Sequence, residues 1–164
     1  MKFIKSYKIF ESQEKLKIKK YKNLYDSGYD VSYSIFLDND EIGSCEIETF
    51  FKQSDFDEKK EFFTFRNPFN YENPVKKSYY DKYPYYIKLN GFEIEDDYKG
   101  KGFGKKSFSM ILKNIENDFP KNEGIYLDVF KENKSAISIY LNSGFKIINE
   151  YKFYDGEEVL KMKK

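Results

Sequence analysis

Residues 99–106 read Lys-Gly-Lys-Gly-Phe-Gly-Lys-Lys, with Gly100, Gly102 and Gly104 alternating between cations. A strand-like run, YYIKLNGFEIE, precedes them and a helix-like run, KSFSMILKNIEN, follows. A tight turn opening a helix aims successive backbone N–H groups outward and places the positive end of the helix behind them. That arrangement suits a phosphate or pyrophosphate. Glycines let the backbone approach the phosphates without a Cβ in the way. Lys99, Lys101, Lys105 and Lys106 add charge, and one of them is placed to reach a further phosphate.

Spacing narrows the choice of phosphate turn. A Walker A loop needs Gly-Lys followed by Ser or Thr, but Gly104-Lys105 is followed by Lys106. The dinucleotide pattern G-x-G-x-x-G puts Lys105 or Ser107 where its last glycine belongs, and little chain remains for a full dinucleotide-binding sheet. The frame that fits is x-x-x-G-x-G led by a long polar side chain, Lys99-Gly100-Lys101-Gly102-Phe103-Gly104.

The chain contains no histidine. Ser-His-Asp and Cys-His catalysis are therefore excluded, and the commonest metal ligand is missing, so no metal site is expected. Cys45 is the only cysteine, which rules out an internal disulfide and a cysteine-built zinc site. Its strand-like context reads as a small core residue. Acid–base work falls to carboxylates, tyrosine, lysine or water.

The turn resembles the acyl-CoA signature of the GCN5-related N-acetyltransferases: Arg or Gln, two residues, Gly, one residue, Gly or Ala. Lys99 stands where that family has Arg or Gln. A second segment strengthens the likeness. LDVFKENKSAISIYLNSGF carries Asn133, Ala136, Tyr140 and Gly144-Phe145, similar to the short helix that follows the family's next strand. Spacings of i, i+3 and i+7 put Asn133, Ala136 and Tyr140 on one helix face. The likeness covers residues 85–164 and, more loosely, a hairpin at 30–50.

The resemblance implies a mixed, mostly antiparallel central sheet flanked by helices, the acyl-CoA N-acyltransferase fold. It implies direct transfer of an acetyl group from acetyl-CoA to an amine without a covalent enzyme intermediate. Phe92 and Ile94 would lie nearest the pantetheine arm. Lys99, Gly100, Lys101, Gly102, Phe103, Gly104 and Lys105 would hold the pyrophosphate, with Asn133 and Ala136 completing the cofactor site. Tyr140 would protonate the departing thiolate. Glu93 is the preferred general base, with Glu95, Asp55, Glu58 or a water relay as alternatives. The rival reading is a non-catalytic acyl-CoA-binding or regulatory module on the same fold. A further rival is a nucleic-acid or protein adaptor using the basic N-terminus.

The elements that would position these groups are legible from Asp30 onward. DVSYSIFL and EIGSCEIETF read as strands joined at Asp38-Asn39-Asp40. Residues 85–95 read as a strand with Gly91 as a bulge, 104–117 as a helix, and 124–130 as a strand. A short helix spans 134–143, from an Asn133 cap to a Gly144 stop. A closing hairpin turns at Asp155-Gly156. The run KIFESQEKLKIKKYKNLY at 8–25 suits either a strand followed by a short helix or two strands, because Leu16 and Ile18 alternate while Ile18, Tyr21 and Tyr25 share a helical stripe. Ser54 is a candidate helix start inside an aromatic, charged insertion at 51–84.

At 164 residues the chain reads as one domain over 1–164. Its net charge of +1 supplies no global pull toward nucleic acid, and no apolar run approaches the ~20 residues of a membrane helix. The N-terminus lacks the pattern of a secretory signal, so a cytoplasmic protein is expected. A homodimer is compatible with the reading. The first 22 residues hold eight lysines against Glu11 and Glu14. Residues 38–61 carry nine carboxylates against three lysines. Acids and aromatics at 46–84 would suit a cationic acceptor such as a polyamine, an aminoglycoside, a lysine side chain or a protein N-terminus.

Overall fold

In the computed structural model, residues 15–23, 30–51 and 84–164 are described. They form a seven-stranded sheet with two α-helices. The strands are β1 (Leu16–Asn23), β2 (Asp30–Leu37), β3 (Asp40–Phe51), β4 (Tyr85–Ile94), β5 (Asn122–Phe130), β6 (Lys146–Lys152) and β7 (Glu158–Lys163). Helix α1 spans Phe103–Asp118 and α2 spans Lys134–Asn142. The sheet order is β1-β2-β3-β4-β5-β7-β6, antiparallel throughout except for the parallel pair β4–β5. This is the mixed, mostly antiparallel sheet that the family resemblance implied.

Within the ambiguous run at 8–25, Leu16–Asn23 is a strand, and residues 8–14, 24 and 25 fall outside the described residues. Leu16 and Ile18 turn toward the core while Lys17 and Lys19 are exposed, so the period-2 pattern decides it. Lys20, on the core side, reaches the end of α1 with an ion pair of 2.5 Å to Asp118. Strand β1 lies at the sheet edge, where charged residues discourage pairing with another chain. The Ser54 helix start and all but the ends of the 51–84 insertion fall outside the described residues.

Helix α1 packs one face on the sheet. Phe108, Ile111, Leu112 and Ile115 recur at helical spacing and are buried. Phe108 anchors this layer: its ring lies 4.9 Å from Phe92, 5.0 Å from Tyr140 and 6.0 Å from Phe145. Truncating such an aromatic to alanine costs about 3–5 kcal/mol. The buried Ser107 hydroxyl donates to the Phe103 carbonyl at 2.6 Å, which removes the cost of an unpaired group.

Two features open the sheet at its centre. The β4–β5 ladder ends at Leu89↔Leu127, although both strands run on, to Ile94 and Phe130. In the β3–β4 ladder, Ser44 pairs Glu93 but Glu46 pairs Asn90, so β4 carries one residue too many. The bulge falls at Gly91, whose φ of +59° is left-handed and comfortable only without a Cβ. Burial confirms the shift: Tyr85, Ile87 and Leu89 face the core before the bulge, and Ile94 faces it afterwards. The Gly91 bulge read from sequence is therefore present.

Candidate active site

The open end of β4, the turn after it and the first turns of α2 enclose a cleft of about 530 Å³. Phe92, Glu93 and Ile94 supply its strand wall. Lys99, Gly100, Gly102, Gly104 and Lys105 supply the turn, and Asn133 and Ala136 supply the helix wall. Ten of the thirteen predicted site residues thus share one cavity. Lys101 and Phe103 line no part of it: the Lys101 ammonium lies 5.5 Å from the centre of the Tyr98 ring, and the Phe103 ring stacks edge-on against Tyr98 at 6.3 Å. Tyr140 stands behind the wall, with its ring 6.5 Å from Phe92.

The three glycines of the turn do two different things. Gly100 and Gly102 have φ of +74° and +85°, and a Cβ on either would meet nothing within 4 Å. Their role is backbone shape and open approach. Gly104 is helical, and its Cβ would stand 3.2 Å from Ile139 Cδ1 and 3.7 Å from Ile94 Cγ1. It lets α1, α2 and β4 meet. Gly102 is also the N-cap of α1, with no side chain capping the helix. The first N–H groups of α1 therefore have no capping side chain and no intrahelical acceptor, and they open on the turn.

The lysines divide as well. Lys99 holds Asp96 at 2.5 Å, and this hydrogen bond, with the nearby positive charge, keeps the Asp96 carboxyl below its ordinary pKa. Lys105 lines the cleft at the helix start. A pyrophosphate fits this combination of an uncapped helix end, open glycines and two flanking ammonium groups.

Asn133 caps α2, its side-chain oxygen accepting from the Ala136 N–H at 3.0 Å. That bond fixes the orientation of a residue that lines the cleft. Tyr140 is buried among Phe92, Phe108 and Phe145. Burial, with a smaller contribution from Cys45, pushes its phenol up to about 12, so it stays protonated at neutral pH. The spacing that joined Asn133, Ala136 and Tyr140 on one helix face is only partly realised, because the tyrosine points inward.

Glu93 is exposed and lies on the sheet face opposite Phe92 and Ile94, as alternation required. Sequence reading missed Ser135, Ser138 and Ile139, which also line the cleft. Their position one and two residues from Ala136 and Tyr140 on α2 was the only available signal, and small hydroxyls and an isoleucine carry no signature of their own.

This fold is that of the GCN5-related N-acetyltransferases, the family the sequence resembles. Solved structures similar to it include a GNAT-family acetyltransferase from Streptococcus pneumoniae, with a TM-score of 0.55 and 15% identity. That likeness covers 82% of this chain and 65% of the other. Arabidopsis thaliana NAA60 in complex with acetyl-CoA is similar at a TM-score of 0.54 and 14% identity, over 82% of this chain and 75% of NAA60. By sequence, the chain is 36% identical over 72 residues to the spermine/spermidine N(1)-acetyltransferase of Bacillus subtilis (strain 168). The match covers 44% of this chain and 46% of the relative, so the chain spans about half the length of the curated relatives it matches. No family model matches the chain.

Proposed function

We propose that this protein is an N-acetyltransferase that moves the acetyl group of acetyl-CoA directly to a primary amine. The observation that carries the reading is the coincidence of three features on one cleft: the splayed β4, the uncapped turn at Lys99–Gly102, and α2. In this reading the pyrophosphate rests on Gly100, Gly102 and the α1 N-terminus, with Lys99 and Lys105 beside it. The pantetheine arm runs along Phe92 and Ile94, beyond the point where β5 stops pairing. The thioester then sits near Tyr140, whose protonated phenol is the acid for the departing thiolate. Glu93, on the open side of β4, is the carboxylate that draws a proton from the incoming amine, through water where the distance demands it.

The spermine/spermidine relative and the carboxylates at 38–61 support a cationic acceptor. The near-zero net charge supplies no global pull toward nucleic acid, in keeping with a small cationic acceptor. The homodimer and the single domain over 1–164 belong to the same reading. A thiol-release assay over a panel of amines, polyamines included, tests it. Turnover with at least one amine is expected, and acetyl-CoA binding without turnover would favour the non-catalytic rival instead.

A further inference from the structure

Lys99 is tied twice to the residue three positions before it. Its backbone N–H donates to the Asp96 carbonyl at 3.1 Å, and its ammonium holds Asp96 Oδ1 at 2.5 Å. The single 3₁₀ turn Asp96–Tyr98 sets that spacing, and Lys99 closes it as the C-cap. Lys99 lines the cleft and Asp96 does not. The cation at the head of the turn therefore carries its own counter-ion before any donor arrives. Lys105 also lines the cleft, at the start of α1, and forms no ion pair among the described residues. A pyrophosphate meets Lys105 directly, whereas Lys99 must exchange one anion for another.

That exchange is within reach. The side chains of Lys99 and Asp96 are 63% and 91% exposed, so water screens their attraction and the pair is weak in itself. A pyrophosphate on Gly100, Gly102 and the α1 N-terminus brings more negative charge to the same ammonium than one carboxylate does. The displaced carboxylate then stands near the phosphates as a like charge, with Asp97 beside it in the chain. An ion pair that has to break and a repulsion left behind both oppose binding, and both favour departure.

We propose that Asp96 is an internal competitor for the donor's pyrophosphate: its carboxylate occupies the Lys99 ammonium in the empty site, gives way to acetyl-CoA, and returns to hasten the release of CoA. The proposal rests on the acetyl-transfer reading above. Asp96 lies outside the cleft, so it acts through Lys99 and not on the reacting atoms. Product CoA keeps the whole pyrophosphate grip of the donor, because only the acetyl group has left. A residue that loosens this grip acts on the step that frees the enzyme for the next turnover.

The test passes CoA over the immobilised full chain and reads association and dissociation by surface plasmon resonance. Asp96→Asn is expected to tighten CoA about 2- to 5-fold, the range of an exposed ion pair, chiefly through slower dissociation. Asp96→Ala, which removes the acceptor as well as the charge, makes the same comparison if Asp96→Asn does not fold. Asp97→Asn removes an equal charge one residue along and is expected to change CoA binding less. In a Lys99→Met background the gain from Asp96→Asn should largely vanish, because no ammonium is left to compete for. CoA bound no more tightly by the Asp96 variants overturns the proposal, as does an equal gain from Asp97→Asn or a gain undiminished in Lys99→Met. A wild-type chain that binds no CoA at all instead sinks the acetyl-transfer reading, and the wild-type trace alone shows that failure.

Discussion

Gly43 and Glu93 touch backbone to backbone: a Cβ on Gly43 would stand 2.3 Å from the Glu93 carbonyl oxygen. Strands β3 and β4 press together there, two residues past the Gly91 bulge. The Glu95 N–H donates to the Ile42 carbonyl at 2.9 Å and clamps the end of the same segment. The cleft wall formed by Phe92 to Ile94 is thus held from behind by a glycine on the neighbouring strand. Gly43→Ala is expected to push that wall outward, costing about 1–3 kcal/mol of stability. Weaker acetyl-CoA binding should accompany it, and urea unfolding with an acetyl-CoA titration reads both effects.

The turn glycines should separate by phenotype. Gly100→Ala forces a left-handed residue and costs about 1–2 kcal/mol locally. Gly104→Val clashes with Ile139 and Ile94 and should lower the melting temperature through lost packing of α1 on α2. Thermal melts with and without acetyl-CoA distinguish the two: the ligand-induced rise shrinks for Gly100→Ala, and the unliganded melt falls for Gly104→Val.

Most of this arrangement was legible in the sequence because it lies where local chemistry is strict. Left-handed glycines at 100 and 102, an Asn133 cap and the apolar period of α1 each admit few alternatives. Less legible were features set by neighbours distant in the chain. Gly43 looks like any strand glycine until Glu93 is placed against it. Lys101 and Phe103 belong to the signature by position, yet their side chains turn to Tyr98.

Tyr140→Phe keeps the ring packing against Phe108 and removes only the phenol. It should lower kcat by about 10²-fold or more if the phenol is the acid, with acetyl-CoA affinity unchanged. Steady-state kinetics beside equilibrium binding makes the comparison. An unchanged kcat assigns protonation of the thiolate to water.

Alkaline pH should unfold the protein through its buried acids. Burial raises the Cys45 thiol to about 12, and the Tyr140 phenol likewise to about 12. A folded pKa above the unfolded one gives stability that is complete below the unfolded value and lost as pH climbs toward the folded one. The window therefore opens near pH 9 for Cys45 and near pH 10 for Tyr140, each with a slope of about 1.4 kcal/mol per pH unit at most. Urea unfolding at pH 7, 9 and 10 should show this decline, and Cys45→Ala should delay its onset.

Calorimetric titration of acetyl-CoA into the wild-type chain and into Gly102→Glu tests the central claim most directly. Saturable one-to-one binding to the wild type, abolished by a carboxylate set on the turn, is the predicted result. A wild-type chain that binds no acetyl-CoA, or a Gly102→Glu chain that binds it equally well, would contradict the account.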